Sequence, residues 1–483
     1  MLTGAWRVRD RSGAGPAVRC RTSGGAWAET SWGELTDNAS AAAARARALP
    51  GPGPVVLVLD GSAASIATML GILDAGVDVL LLEENSSALA DPRSPVRRLG
   101  AQVVVGPPGT AHELPGVPVE SHEEFRAVPG PETAVPSGRE PEVLQLTSGS
   151  TGRPRIARQT LPNVTVGGLL YRQLFEVGAG DAVLVAVPPA HSYGLAGVYA
   201  ALLSGATLVT LSRFTPGAVV EAVRGGATHM LGTPLLYQLL APVFAARGPG
   251  LRLRTALSAG GPMPASTAED IAAALGFPVR LIYGTTEAGL IACVPQEVER
   301  WPAGSAGSAA PGVTLRLDGD GDTGRLSVRT PMMFRGYWGE DPPAPAGDGF
   351  YDTGDLAQVD PDGHVFVLGR KDGLVNVGGR KVGLARVEAA LGEHPGVREA
   401  FVYAVDRADG EQEMHAAVVL APGTGAGDVL AFCRSGPLRP YEVPHRVHAL
   451  SALPRTGMGK VDRQAVLAAT GQPSTPTRTG ART

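Results

Sequence analysis

Short runs of β-branched and leucine residues alternate with Ala/Leu-rich stretches along most of the chain. Residues 54–60 (PVVLVLD) predict a buried strand, 63–75 a helix, 77–82 a second strand and 101–105 a third. The alternation returns at 182–187, and the apolar run 195–211 reads as a buried helix followed by a strand. Residues 227–231, 255–259 and 278–283 continue it with further strands. Strand, helix and strand joined by short links predict βαβ units and parallel sheets covered on both faces. From about residue 312 the texture changes. Residues 313–317 (VTLRL) and 324–329 (GRLSVR) alternate apolar and polar, as half-exposed antiparallel strands do. A Gly-Asp-Gly-Asp turn at 319–322 separates them, and 365–368 is another short strand. The expected fold class is α/β. A large N-terminal domain of parallel-rich sheets, 1–370, carries a small β-barrel-like subdomain. A small α+β C-terminal domain, 371–470, follows, and then a Ser/Thr/Pro/Arg-rich tail, 471–483, expected to be disordered. Residues 107–141, rich in Pro, Gly and Glu, are expected to form surface loop.

Composition narrows the class. A chain of 483 residues is too long for one ordinary core, and 44% apolar residues supply several. A formal charge of −4 gives no electrostatic footprint for nucleic acid. Cys20, Cys293 and Cys433 lie far apart, with neither metal-ligand spacing nor a disulfide framework. The N-terminus lacks the apolar core of a signal peptide. The run 195–211 is broken by Gly197, Ser204 and Gly205 and sits at the short end for a membrane span. The expectation is a soluble cytoplasmic enzyme with neither nucleic acid nor membrane as partner.

Four stretches carry candidate chemistry. In Leu144-Gln-Leu-Thr-Ser-Gly-Ser-Thr-Gly-Arg-Pro-Arg155 a strand runs into a loop of Gly and hydroxyl residues. Such a loop cradles phosphates with backbone N–H and hydroxyl donors, although alone it reads nearly as well as a linker. It is not a Walker loop, because no Gly-Lys-Ser/Thr follows. In Leu281-Ile-Tyr-Gly-Thr-Thr-Glu-Ala-Gly289 a strand delivers an aromatic ring, two hydroxyls and a carboxylate to one turn. A carboxylate there suits Mg²⁺, and a capped helix start explains Thr-Thr-Glu as well. Gly349-Phe-Tyr-Asp-Thr-Gly-Asp355 and Gly369-Arg-Lys-Asp-Gly373 offer a carboxylate for ribose hydroxyls and an arginine beside it, or two ordinary turns. Leu453-Pro-Arg-Thr-Gly-Met-Gly-Lys-Val-Asp-Arg463 places Lys460 on a glycine-flanked loop. By itself that lysine is a surface charge.

Together and in this order, the four resemble the motifs of the AMP-forming adenylating superfamily: acyl- and aryl-CoA synthetases, peptide-synthetase adenylation domains and luciferases. The motif style is nearest to acyl- and aryl-CoA ligases. Weaker echoes lie at Pro188-Pro-Ala-His191, Ser258-Ala-Gly-Gly-Pro262 and Arg335-Gly-Tyr-Trp338. The resemblance covers residues 140–465. The first 140 fit only in texture.

The resemblance implies an enzyme that uses ATP and Mg²⁺ to convert an acid to its adenylate. The acyl group then passes to CoA or a phosphopantetheine thiol, with a carrier protein in trans as a possible partner. Thr147, Ser148, Gly149, Ser150, Thr151, Gly152 and Arg155 would hold phosphates. Gly260, Gly261, Pro262, Tyr283 and Gly284 would line the adenine site. Thr286 would touch the α-phosphate, Glu287 the metal, Asp355 and Arg370 the ribose, and His191 the acid pocket. Lys460 would bridge acid and α-phosphate, where a compact cation relieves the repulsion between carboxylate and polyphosphate. The C-terminal domain would be a mobile lid turning about Asp372, and the Gly-Gly of 377–382 would leave room for a pantetheine arm. No acidic residue occurs in 188–197, which disfavours an α-amino acid as substrate. Arg155, Ile156, Leu161 and Arg325 depart from the family pattern and mark a divergent branch. The same chemistry with an amine acceptor, or with nitrite as the activated oxyacid, remains an alternative, as does a non-catalytic nucleotide- or acyl-binding relative.

Overall fold

In the computed structural model the described residues are 15–84, 86–92, 94–112, 114–127, 140–147, 154–246, 252–261, 263, 265–319, 322–339, 348–370, 373–377, 380–407, 412–436, 438–455 and 461–472. The chain divides into two compact units. The first takes in residues 1–149, 154–314 and 328–351, the second 150–153, 315–327 and 352–483.

Two sheets frame the first unit. The six-stranded sheet runs in the order Val119–Ser121, Val103–Gly106, Val55–Val58, Val79–Leu82, Glu142–Thr147, Arg155–Thr160. Its first five strands are parallel, and the last turns back antiparallel on Glu142–Thr147. The nine-stranded sheet has six adjacent parallel strands: Arg280–Thr285, Thr255–Ser258, His229–Gly232, Ala182–Val185, Thr207–Leu211 and Val18–Arg21. Antiparallel strands close its two edges.

The central strands Val55–Val58 and Val79–Leu82 are buried at every position, which is why they read as continuous apolar runs rather than alternating ones. Helices Ala63–Asp74, Leu161–Leu174 and Ser192–Ser204 share one core with strand residues of both sheets, among them Val55, Val79, Val183 and Leu208. Each helix start has a local reason. The Ser62 side chain accepts from Ser65 N, and the Thr160 side chain accepts from Asn163 N with Pro162 in the first turn. Such caps contribute about 1 kcal/mol each.

The expected boundaries hold to within two or three residues for most strands. The stretch 107–141 is a correction. It contains the strand Val119–Ser121 and the helix His122–Ala127, and Phe125 is fully buried in the main core. Its Pro/Gly/Glu texture hid one buried aromatic at a helical position. The three cysteines are buried and unpaired.

The second unit holds the small β element, a four-stranded sheet in the order Thr314–Asp318, Thr323–Arg329, Tyr351–Val359, Val365–Arg370. After it come the hairpin Leu374–Val377 with Arg380–Gly383, and a three-stranded sheet of Val397–Asp406, Gln412–Leu420 and Arg446–Leu450. Helices Leu384–Gly392 and Ala426–Ser435 bury Val387, Leu391, Val429 and Cys433 against Met414, Ala416 and Val418 of the sheet. No described helix is long and apolar enough to cross a membrane.

Candidate active site

Parallel α/β sheets place ligands beyond the carboxyl ends of their strands. In the first unit those ends carry Thr147, His191, Tyr283 and the turn 286–288. Thr147 closes the strand Glu142–Thr147 and leads into residues 148–153, which lie outside the described residues, as do Pro262, Asp372 and Lys460. The Thr147 hydroxyl is buried and has no hydrogen-bond partner among the described residues, so it is available to a ligand or to the loop it precedes.

The Thr-Thr-Glu sequence does not begin a helix. It is the tight turn of a hairpin between Arg280–Thr285 and Gly289–Cys293, and Thr285 Oγ1 accepts from Ala288 N at 3.1 Å. The ladder bulges between Tyr283 and Gly284, and a Cβ on Gly284 would stand 2.4 Å from the Gly289 carbonyl oxygen. Only glycine permits that approach.

The turn is held from outside. The Gln159 amide donates to the Thr286 carbonyl, and Asn163 donates to the Met333 carbonyl and, at 3.4 Å, to Gln159 Oε1. Phe334 N donates to the Glu287 carbonyl at 2.8 Å. Glu287 is 9% exposed, and its Oε1 accepts from the Tyr337 hydroxyl at 2.8 Å. Burial, and then the Glu287 carboxylate beside it, push the Tyr337 phenol up, so it stays protonated and donates. Arg155 covers Tyr337 from the other side, its guanidinium 3.7 Å from the ring centroid and Nη2 donating to the hydroxyl at 2.9 Å. This accounts for one departure in the sequence. A planar guanidinium stacks on an aromatic face and bonds its edge, which an ammonium does not do equally well. Ile156, a second departure, is core, 1% exposed.

His191 is the residue before helix Ser192–Ser204, and its Nε2 lies 2.6 Å from Glu83 Oε1. The sequence reading missed Glu83, because the acid comes from the strand Val79–Leu82, some hundred residues away. The available signal was a buried parallel strand ending directly in Glu83-Glu84. The premise that no acid stands beside His191 therefore holds along the chain but not in space. Gln145 donates to the Ala190 carbonyl at 2.7 Å and ties this corner to the strand that ends at Thr147. Gly260 has φ +96° and follows the strand Thr255–Ser258, and Gly261 comes next.

In the second unit Asp355 and Arg370 face each other across the strands Tyr351–Val359 and Val365–Arg370. They do not form two isolated turns. Asp355 is 6% exposed, its N–H donates to Thr353 Oγ1 at 3.1 Å, and Arg370 Nη1 lies 3.7 Å from Asp355 Oδ1. Gly354 has φ +74°, and a Cβ there would meet Arg370 Nη2 at 2.9 Å. Arg325, a further departure, pairs with Asp352 at 3.4 Å. One grouping of three metal-type side chains occurs among the described residues, Asp360, Asp362 and His364. Asp360 accepts there from the N–H groups of Asp362 and His364, which is the bonding of a β-turn.

Each unit thus carries a buried carboxylate held by a neutral or cationic donor, Glu287 in the first and Asp355 in the second. Comparison with known proteins gives the family. Residues 6–338 match the model described as AMP-binding enzyme, and 386–460 match the AMP-binding enzyme C-terminal domain. The chain belongs to the AMP-binding enzyme family. It is an AMP-forming ligase, which activates a carboxylic acid with ATP as an acyl-adenylate and passes the acyl group on to a thiol. A feruloyl-CoA synthase of Amycolatopsis sp is 35% identical over 337 residues, 66% of this chain and 68% of that one. The ATP-bound structure of MatB from Rhodopseudomonas palustris superposes with a TM-score of 0.83 at 26% identity, covering 97% of this chain and 98% of that one. The amide bond synthetase McbA from Marinactinospora thermotolerans gives a TM-score of 0.78 at 26% identity, covering 97% and 100%.

Proposed function

We propose that this enzyme activates an aromatic carboxylic acid and transfers it to the thiol of CoA. The observation that carries the first half is the Glu287 carboxylate, buried and held by Tyr337. A preorganised charge costs no reorganisation when the reaction begins. One Glu287 oxygen is committed to Tyr337, and the other suits a hard cation, so the residue fits Mg²⁺. Mg²⁺, when bound, supplies charge neutralisation on the phosphates. The similarity to feruloyl-CoA synthase supports an aromatic acid and CoA.

In this reading the loop 148–152 and Thr147 bind the β- and γ-phosphates. Gly260, Gly261, Pro262, Tyr283 and Gly284 take the adenine, and Thr286 the α-phosphate. Asp355 accepts the ribose hydroxyls, with Arg370 beside it. His191 borders the acid. Lys460 lies between the acid's carboxylate and the α-phosphate. An acid oxygen attacks the α-phosphorus, the bond to pyrophosphate breaks, and the acyl-adenylate remains. The thiolate then attacks the acyl carbon, and AMP leaves with the bonding pair. The small domain, residues 371–470, turns about Asp372 between the two steps and brings the Gly-Gly loop to the pantetheine arm.

Aromatic-acid-dependent ATP–pyrophosphate exchange, followed by product analysis with CoA, a holo-carrier protein and an amine, tests the reading. Acyl-CoA as the main product supports it. Amide as the main product instead supports the second reading, which the likeness to McbA favours.

A further inference from the structure

Glu83 and His191 meet beside the ends of two neighbouring parallel strands. Val79–Leu82 pairs in parallel with Glu142–Thr147, with Leu81 opposite Gln145. Glu83 therefore emerges beside Thr147, at the same edge. The residue before His191 is anchored there by Gln145, which is 3% exposed. The 2.6 Å contact makes Glu83 the acceptor and His191 Nε2 the donor. Neither side chain is sealed off: the histidine keeps 31% of its surface and the glutamate 27%. A pair this open does not serve the core. It presents a carboxylate and an imidazole to whatever occupies the strand ends.

The charge arithmetic gives the consequence. With a neutral imidazole the pair carries −1, and with imidazolium it carries zero. In neither state does it offer a net positive charge. His191 alone would be free to turn its N–H toward a second anionic group of a substrate. Bonded to Glu83, its Nε2–H cannot do so without leaving the carboxylate unpaired, and a second negative charge brought to the ring also faces Glu83. Juxtaposed like charges disfavour binding. A neutral ring, hydroxyl or amide meets no such penalty. The selection works by repulsion, which attraction to the preferred acid alone would not supply.

We propose that Glu83 is a specificity-determining residue: by engaging His191 it restricts the enzyme to acids without a second carboxylate. The inference rests on the reading of the corner as the acid site. It adds the charge class of the substrate and names the residue that sets it.

The test uses the full-length enzyme and pairs of acids that differ only in a distal carboxylate or carboxamide, terephthalate against terephthalamate and succinate against succinamate. Pyrophosphate exchange gives kcat and KM, and calorimetry gives binding without turnover. The wild type favours the amide member by at least about tenfold. In Glu83→Gln, which retains an acceptor for His191 but no charge, the preference falls about tenfold or more through KM or Kd for the dicarboxylate. The kcat for the monoacid stays within about threefold. An unchanged preference in Glu83→Gln, with an unaltered melting temperature, overturns the proposal, as does a wild type that prefers the dicarboxylate. Absence of exchange with every acid would defeat the reading of the reaction instead, and the calorimetric ratio would still decide the role of Glu83. Should Glu83→Gln fail to fold, His191→Phe gives the second arm: it leaves Glu83 charged and removes the partner that offsets the charge, so the discrimination sharpens, and its disappearance overturns the proposal.

Discussion

The Tyr337 hydroxyl donates to Glu287 Oε1 at 2.8 Å, while the Arg155 guanidinium lies 3.7 Å above the same ring. Tyr337 and Arg155, from two separate segments, thus fix one carboxylate. Tyr337→Phe removes the donor and preserves the ring. The expected result is a rise of about tenfold in the Mg²⁺ concentration needed for half-maximal exchange, the usual effect of losing a group that orients a metal ligand. KM for the acid should change little. A magnesium titration of exchange, with Mn²⁺ binding followed by electron paramagnetic resonance, checks both halves.

Arg155→Lys keeps the charge but loses the stacked fork. It should show the same magnesium phenotype at smaller amplitude, and Arg155→Ala a larger one. An effect confined to KM for ATP would mean that Arg155 serves the phosphates directly and not Tyr337.

Gly284→Ala should be costly out of proportion to one methyl group. The new Cβ would stand 2.4 Å from a backbone carbonyl, which cannot rotate away as a side chain can. The hairpin turn carrying Thr286 and Glu287 has to shift. We expect destabilisation of about 2 kcal/mol or more with near-complete loss of exchange, read by thermal unfolding and by activity on the surviving folded protein.

The small unit has its own pH dependence. Burial raises the Glu388 carboxyl to about 7, against a partial offset from the Val402 N–H that donates to it at 2.7 Å. A carboxyl with a raised folded pKa binds more protons folded than unfolded between about 4.5 and 7. The stability it contributes is therefore complete below 4.5 and is lost as pH rises through 7. Glu388→Gln should remove a decline on the order of 3 kcal/mol across that window. Relative to wild type, the variant should gain in melting temperature from pH 5 to pH 8.

Much of this was legible in the sequence, and the failures have a common cause. Apolar runs such as 54–60 located the buried strands, because a strand covered on both faces has no room for polar residues. Motif order exposed Glu287, Asp355 and Arg370, because each lies in a turn or strand whose local residues are constrained by close approach. Glu83 escaped because its partner, His191, lies 108 residues away in the chain, at the start of helix Ser192–Ser204. Tyr337 stood in plain view within Arg335-Gly-Tyr-Trp338 but had no assigned purpose until the chain brought it to Glu287. Phe125 was lost in a segment whose average composition is that of a loop. Pairwise contacts between distant segments are what a single sequence leaves unspecified.

In the proposed mechanism the two half-reactions separate at Lys460. Lys460→Ala should abolish adenylate formation while leaving thioester formation from supplied acyl-adenylate within about tenfold of wild type. Asp372→Pro should do the reverse, because a fixed φ at the proposed pivot would block the turn that the mechanism assigns to the second step. Single-turnover assays of each step check the pair, and equal loss of both steps in either variant would count against domain rotation.

The most direct measurement is acid-dependent exchange of labelled pyrophosphate into ATP by the purified enzyme, across aromatic, aliphatic and amino acids and nitrite. The account predicts exchange that requires the acid, is strongest with aromatic monocarboxylates and disappears in Lys460→Ala. ATP binding without exchange for any acid would contradict it.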